Sequence, residues 1–334
     1  MALPTVKVFA LGGTIAMTES PDGGVVPTLT GEMLIKAVPA LAELAKLETV
    51  SFRQIPGAHL SYDDLLALAG AIEKAVAEGA SGVVVTQGTD TIEETAFALD
   101  RLVDCDAPVI VTGAMRNPTV PGADGPANLL ASVQTACSDD AKGLGCMVVF
   151  SDEIHAARFV RKAHTSSTAA FVSPLAGPIG WVCEGRVRVV NRVQRMGSAL
   201  RELGRDSADV ALLTVCLGDD GRLVDAACKA GFAGLVVEAT GGGHVAPPVA
   251  EALERAAAQM PVVLASRTGN GEVLGKTYGF VGSEIDLQKR GLIRAGWLDG
   301  KKAKILLTLL LRGGRVDAAS VQAAFGVWGG GALD

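Results

Sequence analysis

Aromatic side chains are scarce in this chain, 4% of 334 residues, and no basic stripe with interleaved aromatics runs through it. With a formal charge of −6, that composition lacks the electrostatic footprint of a phosphate-tracking surface, so no nucleic-acid partner is expected. No uninterrupted apolar run approaches the roughly 18–20 residues that span a bilayer, and no membrane association is expected. Residues 1–9 lack the long apolar stretch and cleavage site of a signal peptide and read directly as a first core strand. The six cysteines (105, 137, 146, 183, 216 and 228) form no C-x-x-C pair and no ligand-like spacing with histidine. They are expected to be small, mostly buried and reduced, which fits a cytoplasmic protein with no metal site. The dinucleotide fingerprint G-x-G-x-x-G and the Walker loop are absent as well.

What is abundant is Ala, Val, Leu and Gly, with 49% hydrophobic residues. Small side chains suit a parallel sheet with helices packed closely on both faces. The pattern alternates strand, turn, helix, strand from the start. Residues 5–11 are apolar and β-branched and end in Gly12-Gly13. Ser61-Tyr62-Asp63-Asp64 has the form of a capping box, followed by Leu65, Leu68, Ala69, Ile72 and Val76 at helical spacing up to Gly79. Residues 82–86, 108–112 and 147–150 read as buried strands, and Thr91 to Glu94 as a second capping box opening a helix to Leu102. Units of this length require parallel neighbours with right-handed crossovers.

The expected fold is therefore α/β: a doubly wound, mostly parallel sheet in an N-terminal domain, residues 1–190, followed by a smaller α/β domain, residues 209–334. The polar stretch between them, residues 191–208, carries Arg192, Arg195, Arg201, Glu202, Arg205 and Asp206 and reads as a linker. In the second domain, strands are expected at 210–215, 234–237 and 262–265, and helices near 221–229, 249–257, 283–290 and 301–311.

In open parallel sheets, functional residues gather at the carboxyl ends of strands. Two hydroxyl-rich turns fall there. In Leu11-Gly12-Gly13-Thr14-Ile15-Ala16 the glycines allow a sharp turn and a close backbone approach, with Thr14 exposed on it; taken alone, a glycine-rich phosphate loop or a plain tight turn is the commoner reading. Thr86-Gln87-Gly88-Thr89-Asp90-Thr91 leads from a buried strand into a helix. Asp90 there is either a helix-start carboxylate stabilised by free N–H groups or a charge presented at the sheet crevice.

Taken together, these turns resemble the bacterial L-asparaginase/glutaminase family, over nearly the whole length of the chain. The matching segments are Gly12 to Ala16, Gln87-Gly88-Thr89-Asp90-Thr91 followed by Glu93 to Ala96, Gly113-Ala114-Met115-Arg116, and Ala123-Asp124-Gly125-Pro126. The resemblance implies an amidohydrolase that releases ammonia from a small amide, L-asparagine above all, without a cofactor. Thr14 corresponds to the nucleophile that forms an acyl-enzyme ester. Thr89, Asp90 and Lys162 correspond to a hydroxyl–acid–lysine cluster, although Lys162 in isolation reads as a solvated surface lysine. An ammonium beside Asp90 favours the ionised carboxylate, which can bind a substrate ammonium group; with a depressed pKa, Lys162 could instead act on the Thr89 hydroxyl. The backbone around Ala114 and Thr89 is expected at the scissile amide and its oxyanion.

The chain also departs from the family pattern. The lid-like loop, residues 18–30, has no tyrosine, whereas many family members carry one there that activates the nucleophile. Gly57-Ala58 stands where a polar pair commonly grips the substrate carboxylate, leaving backbone N–H groups, helped by His59 or Ser61. Thr240-Gly241-Gly242-Gly243-His244 replaces an asparagine-containing loop. Glu284 is the candidate for the glutamate that the family borrows from an adjacent subunit, with Glu272 competing. By resemblance a homotetramer, or dimer of dimers, is expected. The alternative to an enzyme is a non-catalytic or weakly active amide- or amino-acid-binding protein of the same fold.

Overall fold

The computed structural model describes residues 3–19, 25–27, 31–195, 200 and 207–330. The described chain divides into two compact units at Arg195–Met196. Of the segment read as a linker, residues 196–199 and 201–206 lie outside the described residues.

The first unit is built on an eight-stranded sheet. Its strands, in chain order, are β1 (Thr5–Ala10), β4 (Lys46–Ser51), β5 (Gly82–Thr86), β6 (Val109–Thr112), β7 (Cys146–Phe150), β8 (Glu153–Ala156), β11 (Gly180–Cys183) and β12 (Arg186–Val189). Two short ribbons complete the numbering: β2 (Met17–Glu19) with β3 (Val25–Pro27), and β9 (Arg161–Lys162) with β10 (Phe171–Val172). The spatial order is β12-β11-β8-β7-β6-β5-β1-β4. From β4 to β7 every pair is parallel, while β8, β11 and β12 extend one edge antiparallel. The core strands β5, β6 and β7 are buried at every residue, as parallel strands covered on both faces must be.

Among the five parallel strands the order is second, first, third, fourth, fifth, so the winding direction reverses between β1 and β5. Loops leaving the carboxyl ends of those two strands diverge to opposite faces and leave a crevice, the usual ligand position in such sheets. The sequence therefore places both glycine-containing turns, after β1 and after β5, at the reversal point.

Helices α1 (Gly31–Lys36), α2 (Leu41–Leu44), α3 (Tyr62–Ala77), α4 (Ile92–Leu102) and α5 (Gly125–Ala136) cover the sheet. Leu129, Ala131 and Val133 of α5 join Val6, Val8, Val84, Ile110 and Met147 in one core. The capping box at Ser61 forms in full: Asp64 N–H donates to Ser61 Oγ, and Ser61 N–H donates to Asp64 Oδ2. The expected box at Thr91 does not form. Thr91 makes no side-chain cap; its hydroxyl donates instead to the Gly57 carbonyl, 2.9 Å away.

The second unit holds a four-stranded parallel sheet, β13 (Val210–Thr214), β14 (Gly234–Ala239), β15 (Val262–Ser266) and β16 (Ile293–Arg294), in sequential order. Its helices are α6 (Arg222–Lys229), α7 (Pro247–Ala257), α8 (Glu284–Lys289), α9 (Gly300–Arg312) and α10 (Ala318–Trp328). Leu235, Val237, Val262 and Leu264 pack with Val249 and Leu253 of α7. Of the cysteines only Cys146 is buried; Cys183 and Cys216 are exposed, and all six are free thiols, so the expectation of mostly buried cysteines fails. No helix among the described residues is long and apolar enough to cross a membrane.

Candidate active site

Three turns meet at the carboxyl ends of β1, β5 and β6. The first begins at Gly12 and Gly13, both in the left-handed region (φ 104° and 85°). A Cβ on Gly13 would lie 2.0 Å from the Gly88 nitrogen, so the backbone of the first turn rests directly on that of the second. Only glycine permits that approach. Thr14, half-buried, and Thr89, buried, each follow one of the two touching glycines. The third turn, Gly113 to Arg116, packs on the second from the other side: a Cβ on Gly113 would meet the Gln87 carbonyl at 2.5 Å and the Thr89 methyl at 3.3 Å. Ile15 and Ala114 line one small apolar cavity of about 40 Å³ with Gly125 and Leu129, which places the turns of Thr14 and Ala114 on a common wall.

Lys162 arrives from β9. Its partner Phe171 on β10 packs at a tilt against Phe150, ring centroids 4.7 Å apart, anchoring the ribbon to the core. From there the ammonium donates to Thr89 Oγ1 at 2.9 Å and to Asp90 Oδ1 at 2.7 Å. The lysine side chain is 15% exposed and the aspartate 71%, so the cation is shielded while the carboxylate faces outward. The site can thus hold a hydroxyl polarised by an ammonium, and can offer a negative face to a cationic group.

Gly57 flanks the second turn. A Cβ there would lie 2.8 Å from the Gly88 carbonyl oxygen, and its own carbonyl accepts from Thr91, whose hydroxyl in turn accepts from the buried Gln87 amide at 3.2 Å. Ala58 and His59 are exposed beside it, whereas Ser61 is occupied by its capping bonds to Asp64. Among the described residues, no group of His, Cys, Asp and Glu is placed to hold a metal ion.

Residues 5–195 match the asparaginase N-terminal family model, and residues 209–325 the glutaminase/asparaginase C-terminal domain. The chain belongs to the asparaginase family. It is 34% identical to an L-asparaginase of Bacillus licheniformis over 92% of this chain and 95% of that one. A probable periplasmic L-asparaginase of Haemophilus influenzae is 31% identical, over 92% and 89%. The crystal structure of a probable cytoplasmic L-asparaginase from Campylobacter jejuni superposes with a TM-score of 0.87 at 32% identity, covering 97% of this chain and 99% of that chain.

Other positions singled out by the asparaginase resemblance fall elsewhere. Residues 20–24 and 28–30 of the loop read as a lid lie outside the described residues. Glu284 sits in the second unit, fully buried. Its Oε1 accepts the N–H groups of Thr277 (2.8 Å) and Tyr278 (2.7 Å), and its Oε2 lies 3.1 Å from His244 Nε2. Burial pushes its carboxyl up, but these bonds outweigh that and hold it below the usual carboxylate range. The His244 ring is met edge-on by Tyr278 and Phe280, at 4.9 and 5.2 Å. Glu272 is exposed. The sequence reading gave Gln87 and Thr91 no part in the site, although they bind the Gly57 turn to the Thr89 turn; a buried glutamine between two glycine-flanked strand ends was the available signal.

Proposed function

We propose that this chain is an L-asparaginase: it hydrolyses the side-chain amide of L-asparagine to aspartate and ammonia through an ester on Thr14. The observation that carries this reading is the Lys162 ammonium, bonded at once to the Thr89 hydroxyl and the Asp90 carboxylate on a turn in backbone contact with the Thr14 turn. Thr14 Oγ attacks the amide carbon. The amide oxygen takes up negative charge, which backbone groups around Ala114 and Thr89 stabilise. The C–N bond breaks as the proton lost by Thr14 Oγ passes to the leaving nitrogen, which departs as ammonia; water then adds to the Thr14 ester through the same oxyanion, releasing aspartate and returning a proton to Thr14 Oγ. Asp90 receives the substrate ammonium, and the backbone at Gly57 and Ala58 lies at the substrate carboxylate. The enzyme works in the cytoplasm as a homotetramer, and Glu284, buried with both carboxylate oxygens bonded within its own unit, is not the group that reaches a neighbouring subunit's substrate.

Thr14→Ala is the direct test. Ammonia release from asparagine falls to background while the melting temperature stays within a few degrees. Retained turnover in a folded Thr14→Ala protein overturns the assignment.

A further inference from the structure

Lys162 stands on a ribbon with two residues in each strand, β9 and β10. A pair that short does not fix its own register, so the turn between the strands, residues 163–170, has to. Ala163 N–H donates to Ala170 O at 2.7 Å and closes the base of that turn. Inside it, His164 Nδ1 accepts the N–H of Ser166 at 3.0 Å and the N–H of Ser167 at 2.9 Å. Ser167 Oγ accepts the Ala169 N–H at 3.1 Å. The Thr168 carbonyl accepts from Ser151 Oγ at 2.9 Å, which ties the turn to the connection between β7 and β8.

A backbone N–H can only donate. Both partners of His164 Nδ1 are backbone N–H groups, so this nitrogen keeps its lone pair and the ring proton sits on Nε2. A proton added at Nδ1 replaces the acceptor with a third donor, and two hydrogen bonds become two repulsions. The ring is exposed, so the proton can arrive from solvent, and the released N–H groups can bond to water. The turn then opens without unfolding the domain.

The charges around the ring do not counter this. Arg161 and Lys162 on its own strand are both cations, and the Lys162 charge is taken up by Asp90 on the second turn. Phe171 and Val172 of β10 carry none. Asp152 follows Ser151 in the connection between β7 and β8, and α4, which packs against β9, carries Glu93, Glu94, Asp100 and Arg101. Among the described residues, the histidines in ion pairs are His155 and His244, not His164.

We propose that His164 is a positioning residue for Lys162, and a pH-dependent one: its neutral imidazole caps the turn of the ribbon and so holds the Lys162 ammonium on Thr89 and Asp90, and protonation of Nδ1 releases it. The inference rests on the amidohydrolase reading above and deepens it. Imidazole is the side chain that changes charge between about pH 5 and 8, so the cap is closed at the upper end of that range and lost toward the lower.

Asparagine offers a side-chain oxygen close to where histidine offers Nδ1, and that oxygen accepts N–H groups without titrating. The experiment therefore compares the wild type, His164→Asn and His164→Ala by kcat/KM for asparagine, which reports ionisations of the free enzyme. The wild type is expected to lose roughly tenfold as pH falls from about 8 to about 5.5. His164→Asn matches the wild type at about pH 8 and stays within about twofold throughout. His164→Ala is already roughly tenfold low at about pH 8 and changes little below it. An equal acid loss in His164→Asn overturns the proposal, and so does full activity of His164→Ala at the upper pH. Hydrogen exchange across residues 161–172, corrected for the intrinsic effect of pH, reads the cap without turnover. It rises with acid in the wild type, is high throughout in His164→Ala and stays low in His164→Asn; the same acid response in His164→Asn refutes the cap. Absence of ammonia release by the wild-type chain refutes the amidohydrolase reading, and the exchange comparison decides the cap apart from it.

Discussion

Lys162 and Asp90 lie 72 positions apart in the chain, and their charged atoms meet at 2.7 Å. The pair is lopsided, with a shielded cation and an open anion. Such a pair contributes little to stability, about 1 kcal/mol or less, because water screens the exposed carboxylate. What the pair does fix is geometry: the ammonium holds the Thr89 hydroxyl, and the Asp90 carboxylate faces outward.

Lys162→Met therefore separates activity from folding. Ammonia release drops by roughly two orders of magnitude or more, while the denaturation midpoint moves only slightly. Lys162→Arg does not restore the rate, because a planar guanidinium cannot replace a point ammonium shared between two oxygens at this spacing. Full activity in Lys162→Arg would count against the geometry described.

Asp90→Asn tests the negative face. KM for asparagine rises at least roughly tenfold, the loss expected for one charge-assisted bond. KM for a simple amide without an ammonium group stays level. Parallel increases for both substrates contradict a specific role for the carboxylate.

The turn contacts predict opposite outcomes for neighbouring substitutions. Gly13→Ala forces a left-handed alanine whose Cβ overlaps the Gly88 backbone, costing roughly 2–5 kcal/mol and abolishing turnover. Gly57→Ser fails similarly, its Cβ being only 2.8 Å from Gly88 O. Ala58→Ser, at an exposed position, folds normally and lowers KM for asparagine by adding a hydroxyl beside the substrate carboxylate. Melting curves and steady-state kinetics on the three variants check this ordering.

Histidine burial sets an acid limit on the first unit. His155 is 1% exposed, its Nδ1 3.0 Å from Ser173 Oγ, and burial lowers its pKa to about 4. The Glu153 carboxylate, half in water, comes within 3.3 Å of Nε2, too weakly screened from solvent to offset that desolvation. The unfolded chain, with an ordinary imidazole, binds the proton more readily. The resulting stability is fully present above about pH 6.5 and is lost as pH falls toward 4, by up to about 3 kcal/mol. His155→Gln flattens this part of the denaturation profile. An unchanged slope between pH 6.5 and 4 in that variant would remove His155 as the cause.

Much of the first unit was legible from periodicity. Strands β1, β5, β6 and β7 are continuous apolar runs because both of their faces are covered, and the Ser61 capping box is a purely local set of bonds. Strand β4 gave no such signal: Lys46 to Ser51 is charged and half-exposed, since β4 closes one edge of the sheet. The antiparallel strands at the other edge are short and partly exposed for the same reason. Thr91 misled because a Thr followed three residues later by Glu fits a cap, and only the nearby Gly57 carbonyl draws its hydroxyl away.

By itself, the sequence determined which strands are buried, where the glycine-softened turns follow them, and which hydroxyls and acids those turns carry. These are properties of neighbours along the chain, set by backbone sterics and burial pattern. That Lys162 joins Thr89 and Asp90 was implied by the family resemblance and by no local pattern, and the structure gives its geometry; only the tertiary structure decided that Glu284 is enclosed by Thr277, Tyr278 and His244, and that Asn128 grips Gly113. Those partners are separated along the chain, and a hydrogen bond depends on where packing brings the two atoms, which no local pattern encodes.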